Sequence, residues 1–180
     1  DKKIKLNFGS KFYKERGFLG EKLEGYLNAD FSGADVNFDF NKFPYPFPDN
    51  RFDEIYSASV IDHLEEYHKV MKELHRICKP GGIIKIFCHF YNSQSSYMPE
   101  HKQHMTYIHF HELTHEMVDE KTGKKIKPMM EIIKFKTLTK GIWKLIPDIK
   151  LGKHIGFRYA VGTILGEAVK DLYVEMRVLK

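Results

Sequence analysis

Cysteine is nearly missing from this sequence. Only Cys78 and Cys88 occur, with no Cys-x-x-Cys spacing, which excludes a disulfide framework and a Cys-rich zinc site and leaves reduced, buried thiols as the expectation. Long apolar runs are missing as well. No stretch approaches the roughly 18 to 20 residues that cross a bilayer, and the opening DKKIKLNFGS lacks the apolar core of a signal peptide, so the expected compartment is the cytoplasm. Internal repeats, low-complexity tracts and linker-like stretches are also absent, which excludes solenoid and disordered architectures. Acidic charge is scarce toward the end: residues 121–180 hold 14 Lys+Arg against 5 Asp+Glu, whereas residues 1–120 hold 15 against 19. Such a basic excess either attracts an anionic partner or forms a solvated face.

What is present suits one hydrophobic core. The 180 residues are 42% hydrophobic and 14% aromatic, and a single domain spanning 1–180 is expected. Ile4 to Phe8 alternates apolar and polar side chains before Gly9-Ser10, a strand entering a turn. Tyr26 to Phe31 and Val36 to Phe40 are further β-prone runs, and Phe52 to Ser59 is a fourth, after the proline-punctuated loop Phe43 to Asn50. Tyr67, Val70, Met71, Leu74, Ile77 and Cys78 recur at three- and four-residue spacing, which predicts a helix stopped by Lys79-Pro80-Gly81-Gly82. Ile83 to Phe90 then reads as a strand covered on both faces. Met129 to Leu138 is β-prone, and the chain closes with a half-buried strand in which Leu172, Val174, Met176 and Val178 alternate with Tyr173, Glu175 and Arg177. Residues 141–169 between them show no clear periodicity. The pattern predicts an α/β fold built on a mostly parallel sheet.

Three segments carry a more specific likeness: Phe47 to Tyr56, Val60-Ile61-Asp62-His63-Leu64, and Lys72 to Gly82. With their surroundings, from residue 4 to about 106, they resemble a class I S-adenosylmethionine-dependent methyltransferase of the small type 11 group. The resemblance implies a doubly wound, Rossmann-like, mostly parallel sheet with a C-terminal antiparallel hairpin. It also implies S-adenosylmethionine as cofactor and methyl transfer to a small-molecule acceptor. The cofactor would lie against Phe8, Gly9, Ser10, Asp30, Phe31, Asp39, Phe40, Ser57 and His63. Asp30, 21 residues after Gly9, has the spacing of an acidic residue that accepts from ribose hydroxyls, and Asp39-Phe40 match the family's adenine-contacting pair. The sequence departs from the family at Lys11, where a second loop glycine is usual, at Ser59, where many relatives have histidine, and, conservatively, at Asp62, where they have glutamate. Lys11 there either narrows the pocket or pairs with the cofactor's carboxylate. A non-catalytic domain of the same fold is the alternative.

Histidine is concentrated where such an enzyme assembles its acceptor pocket: His89, His101, His104, His109, His111 and His115 are six of the ten. His101 is the first candidate for a general base, with His89, Tyr91 and His104 as alternates. His111-Glu112-Leu113-Thr114-His115 is a literal H-E-x-x-H, which on a helix would suit a zinc hydrolase. However, Lys121 occupies the usual third-ligand position and Val118 that of a glycine, so no metal is expected. The basic stretch Gly141 to Arg158 suggests a wall or lid favouring an anionic acceptor, such as a phosphorylated sugar or a lipid head group. Nucleic acid is disfavoured, since only Trp143, Phe157 and Tyr159 offer stacking surfaces there.

Overall fold

The computed structural model describes residues 2–118, 122–139, 144–145, 149–153, 155–165 and 168–180. Four parallel strands come first: β1 (Lys5–Phe8), β2 (Tyr26–Asp30), β3 (Val36–Asn37) and β4 (Phe52–Ala58). Helix α1 (Tyr67–Ile77) leads into β5 (Cys78–His89), parallel to β4. Next come the short helix α2 (Tyr107–His111), a small hairpin of β6 (Met117–Val118) and β7 (Lys125–Ile126), then β8 (Met130–Leu138), α3 (Phe157–Leu165) and β9 (Asp171–Val178). The seven-stranded sheet has the order β3-β2-β1-β4-β5-β9-β8, with β9 antiparallel to both β5 and β8. The expected mostly parallel sheet with an antiparallel C-terminal hairpin is present.

Amphipathicity explains α1. Tyr67, Val70, Met71, Leu74 and Ile77 form one buried stripe against the sheet, each contributing about 1.5–3 kcal/mol by leaving water. His75 and Arg76 occupy the last turn, where cations suit the carbonyl end of the helix dipole. The chain turns extended at Cys78, so Lys79 to Gly82 lie within β5 as a bulge instead of following the helix as a separate turn; the β4 register slips between Phe52 and Glu54 to absorb them. Gly81 takes φ +75° there, a conformation that a side chain disfavours. The third strand is shorter than Val36 to Phe40, because Phe38 and Phe40 leave the ladder and turn their rings into the core around Phe8 and Tyr45. Helix α3 had no legible periodicity: its Gly162 is pressed against Val169 and Phe90, and Ile164 and Leu165 are exposed.

The main core, on one face of the sheet, takes Leu6, Phe8, Ile55, Ile84, Ile86, Val174 and Met176 from the strands together with α1, Phe110 of α2 and Tyr159 of α3. Among the described residues, no helix covers the opposite face. That cover comes from the segment 9–25: Phe18 stacks on Phe87 with ring centroids 3.6 Å apart, its N–H donates to the Tyr56 hydroxyl at 2.6 Å, and Leu23 is buried beside Tyr26 and Tyr173. Where this segment stops, the face carries alternating charge. Lys85 reaches Glu54 at 2.7 Å and Lys134 reaches Glu175 at 2.7 Å. Burial pushes the Glu54 carboxyl up, but the Lys85 ammonium and the Tyr26 hydroxyl outweigh it and hold it below its ordinary range. Both cysteines are free and buried, and burial pushes the Cys78 thiol up to about 12. No helix among the described residues is long and apolar enough to cross a membrane.

Candidate active site

The strand order reverses direction between β1 and β4, and in an open parallel sheet a ligand binds beyond the carboxyl ends of the strands at such a switch. Gly9 stands at that point with φ +83°; a Cβ there would lie 2.0 Å from Val60 Cγ2, so only glycine lets the loop pass. The N–H groups of Gly9 and Ser10 both donate to the Ala29 carbonyl, at 2.8 and 3.1 Å, and tie the loop to β2. Asp30 ends β2. Its Oδ2 accepts the Lys11 N–H at 2.9 Å and its Oδ1 the Phe31 N–H at 2.7 Å, which fixes the carboxylate while each oxygen keeps acceptor capacity. Phe31, 71% exposed, offers a bare ring next to that carboxylate. The hydroxyls of Ser10 and Ser57 are buried without a hydrogen-bond partner among the described residues. These groups fit a nucleoside: a carboxylate for two ribose hydroxyls, an aromatic plane, and backbone that approaches closely.

Other expected cofactor contacts sit differently. The rings of Phe8 and Phe40 stack on each other at 3.9 Å inside the core, so they shape the site from beneath and present no surface to a ligand. Asp39 accepts the Asn41 N–H at 3.0 Å and lies 3.7 Å from the Lys42 ammonium, within its own turn. The Lys11 ammonium lies over the Phe12 ring, 5.5 Å from its centroid.

Beyond β4 the backbone turns sharply at Ser59, a non-glycine residue at φ +53°, and its N–H donates to the Phe87 carbonyl at 2.9 Å. A 3-10 turn, Ile61–His63, buries Asp62 and leaves His63 partly exposed. The Asp62 carbonyl accepts N–H groups from Lys102 and Gln103, at 2.8 and 3.0 Å, which brings His101 over the turn. The Asp62 Oδ2 lies 4.0 Å from His101 Nε2 and accepts the His89 N–H at 3.2 Å. Ring centroids of His101 lie 4.3 Å from those of His63 and 5.1 Å from His89, the latter nearly parallel. Burial pushes the pKa of His101 down, and His63 and His89 add to this against the opposing pull of Asp62 and the Ser95 carbonyl. His89, the last residue of β5, bonds through Nδ1 to the buried carboxylate of Asp171 at 2.7 Å, where β9 begins opposite it.

Of the four candidate bases, the structure thus brings His89 and His101 together. His101 is nearly enclosed, with a side chain 2% exposed, whereas that of His89 is 17% exposed. His104 is turned aside to Ser96 Oγ at 3.0 Å, and the Tyr91 hydroxyl donates to the Thr163 carbonyl at 3.3 Å. Sequence reasoning missed Asp171; its place at the start of an alternating strand gave no chemical signal. The H-E-x-x-H motif does not form one helical face: α2 stops at His111, Glu112–Thr114 is a 3-10 turn, and His115 is extended at φ −118°, ψ 153°. Within the basic stretch, residues 141–143, 146–148 and 154, Trp143 among them, lie outside the described residues. Lys150 and Lys153 are described, and with Lys134 and Lys136 they line a cleft of about 240 Å³ along the outer edge of β8.

Comparison with known proteins agrees with this geometry. Residues 23–86 match the family described as "Methyltransferase domain". The sterol 24-C-methyltransferase of Pneumocystis carinii is 32% identical over 95 residues, which cover 52% of this chain and 22% of that enzyme. The demethylmenaquinone methyltransferase of Geobacillus stearothermophilus is 44% identical over 43 residues, 24% of this chain and 18% of that enzyme. The chain therefore spans about a fifth of the length of these curated relatives. The crystal structure of the N-methyltransferase NodS from Bradyrhizobium japonicum, in complex with S-adenosyl-L-homocysteine, matches with a TM-score of 0.58 at 10% identity, over 99% of this chain and 79% of NodS. Sequence in the middle of the chain and topology throughout point the same way: residues 23–86 resemble a methyltransferase domain, and the fold is that of the solved methyltransferase NodS.

Proposed function

We propose that this chain transfers a methyl group from S-adenosylmethionine to an anionic small-molecule acceptor, with His89 as general base. The observation that carries the reading is the fixed carboxylate of Asp30 beside the Gly9 turn at the topological switch point. Asp30 would accept from both ribose hydroxyls, Phe31 would pack on the adenine ring, and the Gly9-Ser10 backbone would approach the amino-acid end. When bound, the cofactor supplies an electrophilic methyl carbon on a sulfonium.

The remaining work is positioning and deprotonation of the acceptor. His89 Nδ1 bonds to Asp171 Oδ1 and the side chain is partly exposed; with Nδ1–H donating to the carboxylate, Nε2 would be the nitrogen that accepts a proton. A proton taken there gives an imidazolium that the buried Asp171 carboxylate stabilises. His101, stacked behind His89, would hold that ring in place instead of meeting the acceptor itself. The preference for an anionic acceptor rests on the lysine-lined cleft beside β8, whose terminal Leu138 pairs with Asp171.

Calorimetric titration with S-adenosylmethionine and S-adenosylhomocysteine tests the cofactor, and a screen of phosphorylated and carboxylated acceptors tests turnover. His89→Ala is expected to abolish turnover while leaving S-adenosylhomocysteine affinity intact. Charge reversal at Lys150 and Lys153 is expected to raise KM and flatten its salt dependence. Cofactor binding without turnover on any acceptor would favour a non-catalytic domain of this fold, and no binding of either compound would refute the reading.

A further inference from the structure

Asp62, His63 and His101 offer one ligand atom each, and these three atoms lie within 4.8 Å of one another. Two of the side chains are all but sealed from water, Asp62 at 1% and His101 at 2% exposure. The Asp62 carboxylate spends Oδ2 on the His89 N–H, while Oδ1 is buried with no hydrogen-bond partner among the described residues. A buried carboxylate oxygen without a donor is costly, and the usual compensation is a cation. Among the described residues no Lys or Arg forms an ion pair with Asp62; the groups gathered round it are the imidazoles of His63, His89 and His101. Imidazole nitrogen and carboxylate oxygen together suit zinc, among transition metals, whereas magnesium takes oxygen alone.

The local folding supports such a use. Asp62 and His63 are presented by a tight 3-10 turn, and the backbone clamp from Lys102 and Gln103 to the Asp62 carbonyl holds His101 against that turn. Tetrahedral bonds of about 2.0–2.1 Å separate ligand atoms by roughly 3.4 Å, so the present spacing needs an inward movement of about an ångström. His63, on the partly exposed side, has the freedom to make it. The other histidine pair lacks these properties: His115 is exposed, and its Nδ1 is taken up by Thr114 Oγ1 and the His111 carbonyl.

We infer that Asp62, His63 and His101 form a zinc-binding site at the turn beyond β4, with its fourth tetrahedral position left for water or another oxygen ligand. Three protein ligands with one open position are the pattern of a reactive zinc, not of a structural one. The inference stands on these side chains alone and does not depend on methyl transfer.

The test reads the metal directly. The whole chain, stripped with chelator and dialysed against zinc, should retain one zinc per chain by elemental analysis. Cobalt should give the ligand-field absorption of a tetrahedral site, and zinc should raise the unfolding temperature. His63→Ala should weaken zinc at least about 100-fold while the metal-free protein unfolds at the wild-type temperature. Asp62→Asn, of the same shape, serves as the second variant, because truncating the enclosed His101 risks misfolding. His111→Ala and His115→Ala should keep the metal. Less than stoichiometric zinc in the wild type, full retention in both His63→Ala and Asp62→Asn, or loss on His111→Ala would each overturn the inference.

Discussion

Placing alanine at position 9 probes how the cofactor loop is held. The added methyl would meet Val60 Cγ2 at 2.0 Å, Val60 Cβ at 3.0 Å and Val60 Cγ1 at 3.1 Å, and the backbone would keep φ +83°. The conformational strain costs about 1–2 kcal/mol, and forcing a methyl into an occupied site costs about 1–3 kcal/mol more. Gly9→Ala should therefore lose about 2–5 kcal/mol, and at this chain length each kcal/mol lowers the unfolding temperature by about 2–4 °C. Val60→Ala removes both Cγ atoms; by itself it costs about 1 kcal/mol, since Val60 is only partly buried. In the double variant the clash with both Cγ atoms is gone, while the tight 3.0 Å approach to Cβ and the strain remain, so the two changes should couple by about 1–2 kcal/mol in the favourable direction. Urea unfolding of the wild type, both single variants and the double variant reads this cycle. Strict additivity would refute the claim that Val60 is what confines position 9.

Asp30→Ala should weaken S-adenosylhomocysteine binding by about 1–3 kcal/mol, measured calorimetrically, because two ribose hydroxyls lose a charged acceptor; unchanged affinity in a folded variant would remove Asp30 from the site. Asp171→Asn should lower kcat by about 10²–10⁴ with cofactor affinity kept, since an amide no longer fixes the His89 tautomer or stabilises its charge; an unaltered pH–rate profile would count against the dyad. The Arg76 guanidinium holds the Glu73 carboxyl below its ordinary 4.5, at N···O 2.7 Å. A carboxyl depressed in the folded state adds stability above its unfolded pKa and loses it as pH falls through the folded value, so Glu73→Gln should flatten the loss of stability between about pH 5 and pH 3. An equally steep acid limb in Glu73→Gln, followed by urea unfolding, would assign that limb to other carboxylates.

The parts of the fold that were legible in the sequence are those whose burial follows a period. Tyr67, Val70, Met71, Leu74 and Ile77 repeat along one helical face, and Leu172 to Val178 alternate, because each element has one side on the core. The 157–165 helix was not legible, since its exposed Ile164 and Leu165 break the stripe that a packed helix would show. Phe38 and Phe40 read as strand because aromatic residues favour strands, but both rings are drawn off the ladder by the aromatic cluster at Phe8. At the site, Gly9 and Asp30 were legible from local spacing. The His89–Asp171 pair spans 82 positions, and only the antiparallel register between β5 and β9 creates it. Asp62 was legible only as a conservative exchange for the family's glutamate, since its burial among three imidazoles is a tertiary property.

The segment that begins at the cofactor loop does double duty. It leaves Gly9 and Asp30's partner Lys11 at the carboxyl edge of the sheet, then crosses the face that no described helix covers, where Phe18 lies on Phe87 and meets the Tyr56 hydroxyl. Gly17 is needed for that crossing, since a Cβ there would lie 2.5 Å from the Tyr56 hydroxyl oxygen. The segment is anchored by the Phe18 ring stack, the Tyr56 hydroxyl, the buried Leu23, and the hydrogen bonds of Asn7 Nδ2 to the Tyr13 carbonyl and of the Lys14 ammonium to the Gly33 carbonyl. Cover and loop are therefore mechanically continuous. A ligand that binds the ordered form of Gly9, Lys11 and Asp30 must also favour the state in which Phe18 is seated, and by the same linkage any change that unseats Phe18 weakens that ligand.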